Sequence, residues 1–185
     1  MKRCIIHWTA GAHKASPVDM RHYHVIIEGD GNVVMGDLLP EANRSTADGH
    51  YAAHTRGANT GAIGVAVAAM AGAQERPFNQ GRFPITSAQY LALVETVADL
   101  CDTYKIPVTR ETVLTHAEVQ TTLGIWQRGK WDITWLPGMA APGDPVTVGD
   151  GIRKDILRRR SGPEPAGNPL AALFAAIIKL FGGKA

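Results

Sequence analysis

Apolar and polar residues change period along the chain, and those changes outline the elements. Residues 3–8 read as a short buried strand, and residues 23–28, Tyr-His-Val-Ile-Ile-Glu, as a second. Gly29-Asp30-Gly31-Asn32 is a turn signal. Val33-Val34-Met35 returns as a third strand and completes a hairpin. Residues 62–70 are apolar throughout, and their β-branched members favour a central strand covered on both faces. Thr86-Ser87-Ala88-Gln89 fits a capping box. Tyr90, Leu93, Val94, Val97, Cys101 and Tyr104 follow at helical spacing, and Pro107 stops the helix. Val113-Leu114-Thr115-His116 reads as a further short strand, and Ile152, Ile156 and Leu157 mark a last domain helix with a basic end at Arg158–Arg160. Cations there suit a helix C-terminus. Two stretches, 40–61 and 117–149, read as loop, the second with several prolines and tryptophans. Strands interleaved with helices predict an α/β domain with a mixed central sheet flanked by helices, because the hairpin argues against an all-parallel sheet.

The pattern divides the chain into a domain over 1–160, a linker over 161–168 rich in Pro and Gly, and a tail over 169–185. In the tail Leu170, Leu173, Phe174, Ile177, Ile178 and Phe181 fall on one helical face, which predicts a C-terminal amphipathic helix. Its apolar stretch is too short to span a bilayer. Contact with a membrane surface through 169–185, and docking on the domain or on a second copy, both fit this pattern.

Composition narrows the classes of function. The chain has 185 residues, enough for one core, and 45% hydrophobic residues, which argues against global disorder. A formal net charge of +2 gives no ground for a nucleic-acid partner. Two cysteines, Cys4 and Cys101, imply no disulfide framework and read as buried thiols. The apolar run at the N-terminus is too short for a secretory signal, so a cytoplasmic origin is expected.

Seven histidines stand out: His7, His13, His22, His24, His50, His54 and His116. His7 and His116 end predicted strands, where a ligand side chain is held rigidly. Taken singly, each histidine reads as an ordinary surface or partly buried polar residue, and no HExxH-like spacing supports a metal. Lys130-Trp131-Asp132 would turn Lys130 and Asp132 to one side if extended. The alternative is a capping aspartate beside a solvated lysine.

Four blocks in order resemble the zinc amidase family that shares its fold with animal peptidoglycan recognition proteins and includes phage lysis amidases. They are His7-Trp8-Thr9-Ala10, then Tyr23-His24-Val25-Ile26-Ile27 with Gly29-Asp30-Gly31, then His54 and Asn59 before Ile63-Gly64-Val65, and finally Thr115-His116-Ala117-Glu118-Val119 with Lys130-Trp131-Asp132. The resemblance implies a Zn2+ site of His7, His116 and Asp132, with Tyr23 and Lys130 as catalytic groups and His54 and Asn59 near the substrate groove or holding its loops. It implies hydrolysis of peptidoglycan between N-acetylmuramic acid and L-alanine by a zinc-activated water. A monomeric phage endolysin that reaches the cell wall from the host cytoplasm after membrane permeabilisation is the leading expectation. A cytoplasmic amidase that recycles muropeptides and a non-catalytic peptidoglycan-binding module are the alternatives. The sequence departs from many relatives in two places. No acid stands on the central strand at Val65-Ala66-Val67-Ala68, and Thr121–Trp126 replaces a stretch rich in proline and glycine.

Overall fold

A computed structural model describes residues 1–162 and, beyond them, Ala172, Ala176 and Lys179, each in helical conformation. The rest of the expected linker and amphipathic tail lies outside the described residues. Five strands form one sheet: β1 (Arg3–Trp8), β2 (Val25–Ile27), β3 (Val33–Met35), β4 (Ala62–Val67) and β5 (Val113–Thr115), in the order β3-β2-β4-β1-β5. β1 pairs in parallel with β4 and β5, and β2 pairs in parallel with β4, while β2 and β3 form the antiparallel hairpin. The sheet is therefore mixed, and the domain is α/β.

Side chains alternate across a strand, and here the alternation separates core from site. Cys4, Ile6 and Trp8 of β1, Val25 and Ile27 of β2, and Ile63, Val65 and Val67 of β4 enter one large apolar cluster. That cluster continues into Leu93, Val97, Leu100 and Cys101 of α2 (Ser87–Tyr104) and Ile152 and Ile156 of α4 (Pro145–Ser161). The intervening residues, among them Ile5, His7 and Gly64, face the other way. Ile5 and Ala62 form a small second cluster there with Ala58 and with Val119 of α3 (Val119–Leu123). The helical face thus holds most of the core, and the opposite face is roofed by the two stretches predicted to be loop.

The helix ends follow local chemistry. Thr86 accepts from the Gln89 amide, and the Gln89 side chain accepts from the Thr86 amide, so the capping box forms. Lys105 closes α2 in the left-handed region at φ 56°. Both cysteines are buried free thiols.

The structure also adds elements to the pattern. A short helix, α1 (Pro17–His22), is capped by Ser16, with Asp19 bonding back to the Ser16 amide. The stretch 40–61 contains a 3-10 turn at Pro40–Arg44, and 117–149 contains α3 and the start of α4. The expected strands at 23–28, 62–70 and 113–116 are shorter, since their ends turn to place His24, Ala68–Met70 and His116 outside the ladder. Among the described residues, no helix is long and apolar enough to cross a membrane.

Candidate active site

The roofed face of the sheet gathers three side chains from distant parts of the chain. His7 lies near the end of β1, His116 directly follows β5, and Asp132 lies in the loop before α4. His7 Nδ1 stands 3.0 Å from His116 Nδ1 and 3.2 Å from Asp132 Oδ2, and the third edge, His116 Nδ1 to Asp132 Oδ2, is 2.9 Å. All three residues are buried.

Partners behind the rings decide what these atoms can do. Gln127 donates its amide nitrogen to two backbone carbonyls, Arg56 O at 2.9 Å and Ile125 O at 3.3 Å. A carbonyl only accepts, so Gln127 Oε1 must be the atom that faces His116 Nε2 at 2.9 Å. His116 Nε2 therefore carries a proton, and in the neutral ring Nδ1 presents a bare lone pair. His7 Nε2 faces Thr55 Oγ1 and His54 Nδ1, each at 3.2 Å, which suits a proton on Nε2 and again a lone pair on Nδ1. Burial is the leading effect on His7 and, against the pull of Asp132, lowers its pKa to about 4, so the ring is neutral at pH 7. Burial alone would raise the Asp132 carboxyl, but its close contacts with His116 and His7 outweigh it and hold the group well below the usual carboxylate range.

Two imidazole lone pairs and a carboxylate oxygen thus converge in a site with few protons to separate them. A cation held there would resolve this, and the donor set is the N/N/O type that zinc takes in catalytic sites. Ligands about 2.05 Å from a tetrahedral ion stand about 3.3 Å apart, close to the observed edges. Among the described residues this is the group of histidines and carboxylates suited to a metal.

Each donor is placed by specific contacts. Trp8, after His7, meets Trp131, before Asp132, edge to face at 4.6 Å, which ties the loop to the strand. Ile133, after Asp132, sits at φ 63°, an uncommon conformation for a β-branched residue that costs on the order of 1–3 kcal/mol. Thr134 bonds the Trp131 carbonyl through both Oγ1 and its amide and closes that turn. The corner that carries His116 rests on Glu118, which accepts from the Thr115 amide and from both terminal nitrogens of Arg153. Arg153 also donates to Val113 O, so α4 is pinned to the end of β5 by a buried, hydrogen-bonded ion pair.

The other candidate residues surround this triangle. The Tyr23 ring lies 5.2 Å from that of His7. Burial, reinforced by Asp132 and Asp19, raises its phenol well above the ordinary value, so it is a neutral donor. Lys130 is exposed, borders two clefts beside the site, and its charge bears on His7. His54 is buried against His7, with Thr55 Oγ1 at 2.8 Å from its Nδ1. Its ring fits because position 64 is glycine: a Cβ there would lie 2.5 Å from His54 Cγ. Asn59 Oδ1 accepts from the amides of His54 and Thr55, so Asn59 shapes the loop.

His24 is a different case. Gly64 N donates to its Nδ1 and its Nε2 donates to Asn43 Oδ1, so it is a satisfied neutral core histidine, lowered to about 4 chiefly by burial. Gln127, Thr55 and Arg153 escape the sequence reading. Their partners lie 11, 48 and 35 positions away, and no local pattern marks such bonds.

A family model described as N-acetylmuramoyl-L-alanine amidase matches residues 1–138, which includes every candidate named above. Among solved structures, the chain is similar to the N-acetylmuramoyl-L-alanine amidase LysC from Clostridium intestinale URNW, at 17% identity and a TM-score of 0.50, covering 84% of this chain and 85% of that one. It is also similar to the N-acetylmuramyl-L-alanine amidase AmiD from E. coli, at 20% identity and a TM-score of 0.48, covering 95% of this chain and 77% of that one. At 17% identity the likeness to LysC is one of fold. No curated protein matches the chain.

Proposed function

The chain belongs to the N-acetylmuramoyl-L-alanine amidase family, and on that premise we propose that it hydrolyses peptidoglycan at the amide between the lactyl group of N-acetylmuramic acid and L-alanine, with zinc held by His7, His116 and Asp132. The observation that carries the zinc reading is the convergence of two lone-pair nitrogens and one carboxylate oxygen within 3.2 Å of one another. Bound there, zinc supplies Lewis acidity and lowers the pKa of water to about 7.

The chain's own groups do the rest. Hydrolysis adds one water to the lactyl carbonyl carbon, breaks the carbon–nitrogen bond, and leaves a carboxylic acid on the sugar and a free amine on alanine. Negative charge builds on the carbonyl oxygen, and the ammonium of Lys130, an exposed cation beside the site, stabilises it. Tyr23 acts as a hydrogen-bond donor, because its phenol stays protonated, and its hydroxyl makes no bond to other described residues. His54 and Thr55 hold the back of His7, and Gln127 holds the back of His116, so both imidazoles keep the tautomer that ligation needs. Lys130 and Tyr23 stand in for the acid that is missing from β4.

An endolysin that works at the cell wall is the biological role this reading favours. It rests on the sequence of 169–185, whose amphipathic pattern suits an envelope surface better than the recycling of soluble fragments. The direct test is mass spectrometry of purified sacculi digested with and without a chelator. Release of unsubstituted stem peptides with a free L-alanine amine, abolished by chelation and restored by zinc, is the expected result. Intact sacculi in the presence of stoichiometric zinc would end the proposal.

A further inference from the structure

Two clefts open beside the triangle, and Lys130 borders both. The larger, about 720 Å³, has charged groups that cancel: Glu75 and Asp144 against Arg76 and Lys130, with Phe78 and Trp131 among its walls. The smaller, about 260 Å³, has no carboxylate in its lining. Arg56, Arg128 and Lys130 face it, beside Trp126, Gln127 and the ligand His116. Among the described residues none of these three cations makes an ion pair, whereas Arg110, Arg153, Arg158, Arg159 and Arg160 all do.

The cations are placed by the same side chain that sets the His116 tautomer. Gln127 bonds His116 with its oxygen and the Arg56 carbonyl with its nitrogen, and Arg128 is the next residue along the chain. Arg128 sits in the left-handed region at φ 55°, followed by Gly129 at φ 68°. Its guanidinium carbon lies 5.6 Å from the centroid of the exposed Trp126 ring, which restrains a side chain that would otherwise be free. Strain, aromatic support and unpaired charge meet on one wall of one cleft.

An amide hydrolase must hold substrate on both sides of the scissile bond, and the two clefts differ in charge as the two sides of this substrate do. The glycan side is an uncharged sugar. On the peptide side, the substrate held by E. coli AmiD has L-alanine followed by a γ-linked glutamate, which leaves its α-carboxylate free. A chain advances at most about 3.5 Å per residue, so that carboxylate falls one residue from the scissile bond, within reach of a wall one position removed from the partner of His116. We propose that the smaller cleft is the stem-peptide side of the site and that Arg56 and Arg128 bind the free α-carboxylate of the second stem residue, an inference that rests on the amidase reading. The protein then discriminates between stems whose second residue is a free acid and stems in which that carboxyl is amidated. Charge-assisted bonds to a planar guanidinium supply the difference, since a carboxamide is neutral and cannot accept two bonds in parallel.

The test uses the full-length, zinc-loaded protein and two muramoyl peptides that differ only in that carboxylate or carboxamide. The parent should show a kcat/KM at least tenfold higher for the free acid, and the ratio should fall as salt rises. In the double variant Arg56→Ala/Arg128→Ala the ratio should drop below about threefold. Arg158→Ala, which removes a cation elsewhere, should keep it. Bound zinc and melting temperature are measured on each protein. A parental ratio near one overturns the subsite and leaves the amidase reading intact. So does a high ratio that the double variant preserves. Hydrolysis of neither peptide with zinc bound overturns the amidase reading itself.

Discussion

His7 and Asp132 meet the same point in space from opposite kinds of structure. His7 belongs to β1, bonded on both sides to neighbouring strands and fixed by backbone ladders. Asp132 stands in a loop and is fixed by local contacts: the edge-to-face packing of Trp131 on Trp8, the Thr134 turn, and the strained backbone at Ile133. A ligand on a strand inherits its position from the fold. A ligand on a loop depends on a handful of contacts, each of which a single substitution removes. His116 lies between these extremes, on a strand end that needs the Glu118–Arg153 pair beneath it and Gln127 behind it.

That contrast can be broken most severely at the donors. Asp132→Ala and His116→Ala should each lower bound zinc below about a tenth of an equivalent and abolish sacculus hydrolysis, a loss of well over a thousandfold. Elemental analysis and turnover check this, with circular dichroism expected to show the sheet intact. Removing the support under His116 should act on stability instead. Glu118→Ala leaves Arg153 buried without its carboxylate and should cost about 3–5 kcal/mol, read as a fall in melting temperature of about 6–20 °C.

Smaller effects sharpen the comparison. Lys130→Ala should retain zinc and lose about a hundredfold or more in kcat, measured on a soluble muropeptide. Gln127→Ala should weaken zinc affinity about 10–100-fold in chelator competition, because His116 is then free to take the other tautomer. An unchanged affinity would mean that the corner alone orients the ring. The gentlest probe is pH. His24 has a folded pKa of about 4 against about 6.5 unfolded, so the unfolded chain binds more protons between these values. Its contribution is full above about pH 6.5 and lost as pH falls towards 4, and the shifts of His54 and, without metal, His7 have the same sign. Denaturant titration of the metal-free protein should show stability declining across that window, and His24→Gln should flatten the decline.

The legible parts of the molecule are those with a local period. Short apolar runs and a turn signal marked β1 and the hairpin, helical spacing and a capping box marked α2, and strand ends drew attention to His7 and His116. Two missed starts were also written locally. Ser16-Pro17 with Asp19 is a cap, a proline at the first helical position and a reciprocal acid, and Asp144-Pro145 repeats the cap and the proline at α4 without the reciprocal acid. Other features had no such trace. Gln127 bonds His116 and the carbonyl of Arg56, 11 and 71 positions away, and nothing near Asp132 announces that Trp131 will find Trp8. The resemblance to known amidases supplied the grouping of His7, His116 and Asp132, which spacing alone left open.

The small residues of β4 have a consequence for how this sheet can change. On the side turned away from the helices the strand offers Ala62, Gly64 and Ala66, and the His54 ring occupies the volume that any side chain at 64 would claim. The middle of the sheet is in effect a floor kept bare so that imidazoles can stand on it. Gly64→Ala, harmless on most strands, would here evict a ring that braces His7, so a strand buried along its whole length is also one whose freedom to vary is set by the chemistry above it.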